Sequence, residues 1–243
     1  MTVPPKRALV TGGSGGIGSA ICRRLAADGL QVIVHANSRL AAAQVLAQQI
    51  NSDGGRAQAV AFDVTDAGAT SAALLALLEP GPIQVVVNNA GIHDDAVFPG
   101  MQPAQWQRVI DVSLNGFFNV TQPLTLPMIR TRWGRIITIT SVSGIMGNRG
   151  QVNYSAAKGA LHAATRSLSL EVASRGITVN AVAPGIIDTD MGQGTFSAED
   201  IARMVPMKRA GKAGEVADLV GFLASDSAGY ISGQVISING AMA

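Results

Sequence analysis

A serine, a tyrosine and a lysine lie at short intervals in the middle of the chain. Ser141 stands thirteen residues before Tyr154, and Lys158 follows Tyr154 by four residues. On a helix, residues four apart share a face, so the Lys158 ammonium would lie close to the Tyr154 phenol. The ordinary tyrosine pKa is about 10, and a nearby cation lowers it because it favours the phenolate. Such a tyrosine can exchange a proton with a carbonyl or alcohol oxygen that Ser141 holds by a hydrogen bond.

The spacing of Tyr154 and Lys158 alone is also typical of an ordinary amphipathic helix, and a second motif favours the chemical interpretation. An apolar strand at Ala8–Val10 runs into a glycine-rich turn, and an apolar helix follows the turn. Glycines let the backbone approach a pyrophosphate, and the helix amino terminus offers free amide donors and a positive dipole end. This context predicts a dinucleotide site, whose turn residues are Gly12, Ser14, Gly15, Gly16, Ile17 and Gly18.

The end of the second apolar strand indicates which dinucleotide binds. An enzyme that uses NAD usually presents a carboxylate to the adenosine ribose there, whereas this chain has Asn37, Ser38 and Arg39 and no Asp or Glu. These side chains are suited to a 2′-phosphate, which predicts a preference for NADPH. The alternative is that Arg39 is simply a solvated loop residue.

Two further segments follow the third and fourth strands. Asp63 and Val64 come after the third strand, where the carboxylate is expected to meet the adenine amino group. Asn89, Ala90 and Gly91 come after the fourth, where small residues allow close approach of the cofactor. An asparagine in this place can also tie neighbouring strands together, so we expect a mixed role for Asn89.

Composition and periodicity predict an α/β fold. Apolar residues make up 47% of the 243 residues and aromatic residues 4%, with 28 glycines, which suits a core of small aliphatic side chains around parallel strands. Apolar runs alternate with helical patterns, as βα units do, and no linker divides the chain. We therefore expect one doubly wound domain over residues 1–243. The predicted strands are Ala8–Val10, Val32–Val34, Ala57–Phe62, Val85–Val87, Ile136–Ile139, Ile177–Val182 and Val235–Ile238.

Charge and cysteine content exclude several classes of protein. The net charge is +2 without a basic run, which argues against a nucleic-acid partner. Cys22 has no second cysteine to pair with, so we expect a buried thiol in a reducing compartment. The amino terminus lacks a signal-peptide pattern, and the uncharged residues 112–129 contain too many polar residues and prolines for a membrane span. A cytoplasmic protein without a structural metal is expected.

Several motifs occur in one order: Thr-Gly-x-x-x-Gly-x-Gly, Asn-Asn-Ala-Gly, Ser141, Tyr154-x-x-x-Lys158 and Pro184-Gly185. In this order the chain resembles the short-chain dehydrogenase/reductase family over essentially its whole length, and within it most of all the bacterial 3-oxoacyl-[acyl-carrier-protein] reductases. The resemblance implies a seven-stranded Rossmann sheet with helices on both faces, a homotetramer, and hydride transfer from NADPH to a ketone.

The resemblance also implies individual roles. Tyr154 would be the acid, Lys158 would bind the nicotinamide ribose and lower the tyrosine pKa, and Ser141 would orient the carbonyl. Pro184, Gly185, Ile187 and Thr189 match the segment that meets the nicotinamide, with Ile187 and Thr189 on the carboxamide.

The chain departs from the family at one catalytic position. The family usually has an asparagine twenty-eight residues before the serine, and this chain has Ser113 there. Asn115 is not equivalent, because two residues along a helix turn a side chain by roughly 200°. A hydroxyl both donates and accepts, so we expect Ser113 to support a water in the proton relay.

The substrate follows from the resemblance as well. Related reductases dock the acidic acyl-carrier protein through arginines beside the active site that match Arg132 and Arg175, with Arg130 nearby. The leading hypothesis is an NADPH-dependent 3-oxoacyl thioester reductase of fatty acid or specialised polyene synthesis. The alternatives are a dehydrogenase of a small free alcohol or ketone, and a partner subunit that has lost its chemistry. Residues 184–207 have weak periodicity and are expected to form a lid over the substrate.

Overall fold

The computed structural model describes residues 5–189 and 197–243. Seven parallel strands form one sheet in the order β3-β2-β1-β4-β5-β6-β9. All seven strands expected from the sequence are confirmed. The strands are β1 Arg7–Val10, β2 Gln31–Ala36, β3 Arg56–Ala61, β4 Val85–Asn88, β5 Gly134–Ile139, β6 Ile177–Pro184 and β9 Val235–Ile238, and the short strands β7 Ile187–Asp188 and β8 Gly211–Lys212 pair separately.

Helices cover both faces of the sheet. They are α1 Gly16–Ala27, α2 Leu40–Ser52, α3 Ala67–Leu78, α4 Pro103–Ile110, α5 Gly116–Thr131, α6 Ser143–Met146, α7 Val152–Val172, α8 Ala198–Met204 and α9 Ala213–Ala224. Helices α1, α2 and α9 bury apolar side chains in one core, and α3, α5 and α7 bury theirs in the other. The doubly wound α/β fold is therefore confirmed.

The apolar runs become strands because both of their faces are covered. Val32 and Val34 enter the core under α1, whereas Ile33 between them enters the core under α5. Successive side chains of a strand point to opposite faces, so a central parallel strand needs apolar residues at every position.

None of the described helices has the length and apolar character needed to cross a membrane.

The strand order places the functional edge. The order reverses between β1 and β4, and ligands of such sheets bind beyond the carboxyl ends of the strands at that reversal. Because the strands are parallel, the segments that follow them all meet at this edge.

Candidate active site

The serine, tyrosine and lysine meet at the carboxyl edge of the sheet. Ser141 follows β5, while Tyr154 and Lys158 project from the first turns of α7. The Ser141 hydroxyl lies close enough to the Tyr154 phenol to lower its pKa. The Lys158 Nζ is buried, lies 5.5 Å from the centroid of the tyrosine ring, and donates to the main-chain oxygen of Ile139 at 2.9 Å. The three side chains therefore lie together at one edge of the sheet.

Electrostatics at the tyrosine differ from the sequence expectation. Burial raises the pKa of Tyr154 and Asp95 raises it further, while the nearby Ser141 hydroxyl lowers it. Burial also lowers the pKa of Lys158 to about 8. The expected lowering of the tyrosine pKa by Lys158 is not seen in this arrangement, because the ammonium is directed at Ile139. Tyr154 therefore keeps its proton at neutral pH, as an acid requires.

A buried asparagine fixes the start of α7. Asn153 Nδ2 donates to the main-chain oxygens of Asp94 and Gln105, at 3.0 and 3.2 Å, and its Oδ1 accepts from the Tyr154 amide. Gln151, just before it, donates to Asp95 at 2.9 Å. Sequence reasoning missed Asn153 and Asp95, because only the fold brings their partners together.

Ser113 occupies a π-helical turn, Asp111–Asn115, between α4 and α5. It is 3% exposed, and neither its Oγ nor the Thr138 Oγ1 has a hydrogen-bond partner within the described part of the chain. Both residues and Lys158 line one small cavity of about 10 Å³, near the minimum that a single water occupies. Asn115 is exposed and donates to Asp111, so it points away from the site as expected.

The glycine turn has the backbone shape that a pyrophosphate needs. Gly12 has a φ of +61°, and a Cβ at Gly18 would lie 2.3 Å from the Gly12 oxygen, so neither position tolerates a larger residue. Gly15 caps α1 without a side-chain hydrogen bond, and the first turn of α1 has no acidic residue. The amide donors at this helix end are thus left for a phosphate, and the predicted turn fits a dinucleotide.

Asn89 ties neighbouring segments together, which is the structural part of the mixed role expected for it. Its Nδ2 donates to the main-chain oxygens of Thr11 and Gly12, at 2.9 and 3.1 Å. The Thr11 hydroxyl in turn accepts from the Asn89 and Ala90 amides, each at 3.0 Å. The segment after β4 and the glycine turn are therefore one hydrogen-bonded unit. Gly91 next to them faces Lys158, because a Cβ there would lie 3.2 Å from its Nζ.

The adenosine end of the predicted site is open to solvent. Asn37, Ser38 and Arg39 are exposed between β2 and α2, and α2 has no acidic residue in its first turn. Asp63 is also exposed, and its Oδ1 accepts from the amide and hydroxyl of Thr65. Val64 beside it is buried.

The segment after β6 reaches both parts of the site. The Pro184 oxygen accepts from the Val142 amide at 2.8 Å, and the Gly185 amide donates to Ile238 at 3.0 Å. Ile187 is buried in β7, and Thr189 lies against the glycine turn, 2.9 Å from where a Gly16 Cβ would be. Of the expected lid over residues 184–207, residues 190–196 lie outside the described part, and α8 spans Ala198–Met204.

The arginines expected beside the active site lie at the opposite edge of the sheet. Arg130 and Arg132 precede β5 and Arg175 precedes β6, whereas Ser141 lies beyond the opposite end of β5. Arg132 Nη2 donates to the Ser174 main-chain oxygen at 3.1 Å, which keeps Arg132 near Arg175. The length of β5 separates the two edges, roughly 20 Å for its six residues. Within one chain the expected position beside the site was therefore wrong, because sequence motifs do not show on which edge a loop lies.

Comparison with known proteins agrees with this geometry. The model of the short chain dehydrogenase family matches residues 6–200. The chain is 45% identical over 236 residues to a 3-oxoacyl-[acyl-carrier-protein] reductase of Aggregatibacter actinomycetemcomitans, covering 96% of this chain and 98% of the relative. It is 43% identical over 245 residues to the reductase of the same name in Escherichia coli K12, covering 100% and 99%. It is also 43% identical over 243 residues to nodulation protein G of Azospirillum brasilense, covering 98% of each.

Proposed function

Because the chain belongs to the short-chain dehydrogenase family and is an oxidoreductase that uses a nicotinamide cofactor, we propose that it reduces 3-oxoacyl thioesters on acyl-carrier protein with NADPH. The product is the 3-hydroxyacyl thioester of fatty acid or related specialised acyl synthesis. The observation that carries the proposal is the convergence of Ser141, Tyr154 and Lys158 beside the glycine turn, in a chain similar along its length to reductases of that name. We propose that the enzyme is cytoplasmic and consists of a single catalytic domain.

The chemistry divides between the cofactor and three side chains. The glycine turn with Asn37, Ser38 and Arg39 would hold NADPH, which would supply the hydride when bound. Ser141 donates a hydrogen bond to the ketone oxygen, which polarises the carbonyl and fixes its position. Tyr154 donates its proton to the same oxygen, and the raised pKa keeps that proton available at neutral pH.

Proton resupply to the tyrosine involves Lys158 and Ser113. The Lys158 pKa of about 8 allows the ammonium to release a proton just above neutral pH. The unpaired hydroxyls of Ser113 and Thr138 line a cavity beside Lys158 that is suited to one water. A water there would connect Lys158 to Ser113 in place of the asparagine that the family usually has.

The test of the substrate is oxidation of NADPH by the purified protein. It is offered a 3-oxoacyl thioester on acyl-carrier protein, the same acyl group on a short free thioester, and a panel of free ketones. We expect the carrier-bound substrate to give the highest kcat/KM. Activity on free ketones alone would favour a small-molecule dehydrogenase, and no activity on any substrate would favour a catalytically inactive partner subunit.

Arg39 is expected to determine the preference for NADPH. A charge-assisted hydrogen bond to a 2′-phosphate is worth roughly 1.5–3 kcal/mol, so Arg39→Asp should raise the KM for NADPH by about 10- to 100-fold and lower that for NADH. Steady-state kinetics with both cofactors measure this. Arg56→Asp, at the exposed start of β3, serves as the charge-matched control. A wild-type protein with equal kcat/KM for NADH and NADPH would contradict the role of Arg39.

The location of the arginines proposed to dock the carrier protein links substrate binding to the oligomeric state. Apolar side chains on the outer faces of α5 and α7 are exposed within one chain, Phe118 by 62%, Leu126 by 53% and Leu170 by 84%. A homotetramer in which α5 packs on itself about a two-fold axis covers them. Such antiparallel packing brings the Arg130 end of one α5 to the Ser113 end of the other. The arginines then serve the active site of the second subunit.

Subunit mixing tests this arrangement. Arg132→Glu with Arg175→Glu should raise the KM for carrier-bound substrate at least about tenfold and leave that for the free thioester unchanged. Co-expression with Tyr154→Phe subunits should restore activity on the carrier-bound substrate, because the second chain supplies intact arginines. Arg56→Glu is the control for a charge change elsewhere. A mixed oligomer no more active than its two parents would refute docking across subunits.

A further inference from the structure

His35 lies directly beneath the glycine turn. It is 1% exposed at the carboxyl end of β2, and its Nδ1 accepts a hydrogen bond from the Gly12 amide at 3.1 Å. Its Nε2 lies 2.9 Å from the main-chain oxygen of Phe62, and the ring packs on the Phe62 ring with 4.1 Å between centroids. The His35 main-chain oxygen also accepts from the Gly13 amide at 2.7 Å. One residue thus joins the turn after β1 to the end of β3.

The two contacts determine the tautomer of the ring. Nδ1 accepts a proton from Gly12, so Nε2 carries the ring proton and donates it to Phe62. A protonated imidazole has two N–H donors and no acceptor. Protonation of His35 would therefore place two donors against each other and leave the Gly12 amide without its partner. Gly12 has a positive φ, and this contact helps to hold the turn in that shape together with the hydrogen bond from Asn89.

The surroundings of the ring favour its neutral form. Burial lowers the pKa of His35, and the Phe62 carbonyl and the Asp63 carboxylate partly offset this. Asp63, which follows β3, is the charged group that acts on the ring within the described residues. The glycine turn contributes Gly12 and Gly13, which carry no charge. The ring is therefore neutral at pH 7, and protonation is expected only below the ordinary histidine pKa of about 6.5.

We propose that His35 is a positioning residue for the nucleotide site, which holds the glycine turn in its binding shape as a neutral ring and releases the turn when it is protonated. It contacts the turn and not the cofactor. This inference rests on the proposed binding of NADP(H) at that turn.

Two substitutions separate the hydrogen bond from the packing. His35→Asn keeps an acceptor near the position of Nδ1 and cannot titrate. His35→Phe keeps a ring on Phe62 and removes the acceptor at every pH. The chain has two other histidines, and His93→Asn is the matched control, because that side chain is 45% exposed and pairs with Asp95.

The first measurement is the Kd for NADP⁺ by calorimetry between pH 7.5 and 5.5. At pH 7.5, His35→Phe should bind about tenfold more weakly than wild type, and His35→Asn should bind nearly as well. The wild type and His93→Asn should weaken several-fold more than His35→Asn on going to pH 5.5, and by less than about tenfold because burial keeps the pKa of His35 below its ordinary value of about 6.5. Ionisation of the cofactor phosphate changes the Kd of all these proteins equally, so its effect cancels when the proteins are compared at the same pH. Equal pH profiles for wild type and His35→Asn would overturn the proposal.

The second measurement uses the protein without cofactor. Hydrogen exchange of residues 11–18, compared with the intrinsic rate at each pH, should show protection in wild type and His35→Asn at pH 7.5 and its loss in His35→Phe. At pH 5.5 the wild type should lose part of this protection, whereas His35→Asn should keep it. Equal protection of this segment in all proteins would refute the role of His35 even if NADP⁺ binds. Failure of every protein to bind NADP⁺ at pH 7.5 would instead refute the proposed function, and exchange would still decide on His35.

Discussion

Tyr154→Phe is expected to lower kcat by about 10³-fold, because a positioned general acid contributes roughly 10²- to 10⁴-fold. The substitution removes the hydroxyl that lies near Ser141 and keeps the ring near Lys158. Binding of NADPH, followed by its fluorescence, should change little. Steady-state turnover of the thioester measures the loss.

The chain provides a matched control for this substitution. Tyr230 is its other tyrosine and is fully exposed, so Tyr230→Phe removes the same atom far from the site. It should leave kcat and the Kd for NADPH unchanged. If Tyr154→Phe retained more than a tenth of the wild-type kcat, Tyr154 would not be the acid.

Gly18→Ala should have the second large effect, on cofactor binding and stability together. The added Cβ would lie 2.3 Å from the Gly12 oxygen and 2.9 Å from the Gly13 Cα, which are backbone atoms that cannot rotate away. Helix α1 or the turn has to move, at a cost of roughly 3 kcal/mol, so the Kd for NADPH should rise about 100-fold and the Tm should fall. Calorimetric titration and thermal unfolding measure the two effects.

The control is an alanine where space is available. Gly214 lies in the first turn of α9, and a Cβ there meets no atom within 4 Å. Gly214→Ala should leave the Kd unchanged and the Tm unchanged or slightly higher, since alanine favours a helix over glycine. Similar Kd and Tm values for the two variants would contradict close packing at Gly18.

Much of this architecture could be predicted from local patterns. The strands are buried on both faces, so their apolar runs are unbroken, and Val85–Val87 is fully buried in the middle of the sheet. Tyr154 and Lys158 lie one turn apart on α7, so their relation depends on helix geometry alone. The glycine turn was predictable because its backbone shape requires glycine at fixed positions.

What the sequence did not indicate depends on contacts between distant segments. His35 reaches Gly12 and Phe62 only because β2 lies between β1 and β3. In the sequence nothing distinguishes Asn153 from the other asparagines, because its contact with Gln105 depends on the packing of α7 against α4. The sequence predicted a lowered pKa for Tyr154, because spacing shows that Lys158 is its neighbour. Spacing does not show the burial of the tyrosine or the direction of the Lys158 ammonium.

The hydrogen bonds among Thr11, Gly12, Asn89 and Ala90 affect the energetics of cofactor binding. They connect the turn to the segment after β4 through four contacts of 2.9 to 3.1 Å. When a ligand has to order a loop, the lost conformational entropy weakens binding. A loop that is already ordered in the folded protein avoids this entropy loss on binding. The conformational entropy of this turn is lost when the chain folds. Association with the nucleotide at neutral pH therefore begins from a preformed phosphate site, and its rate should be set by encounter rather than by loop rearrangement.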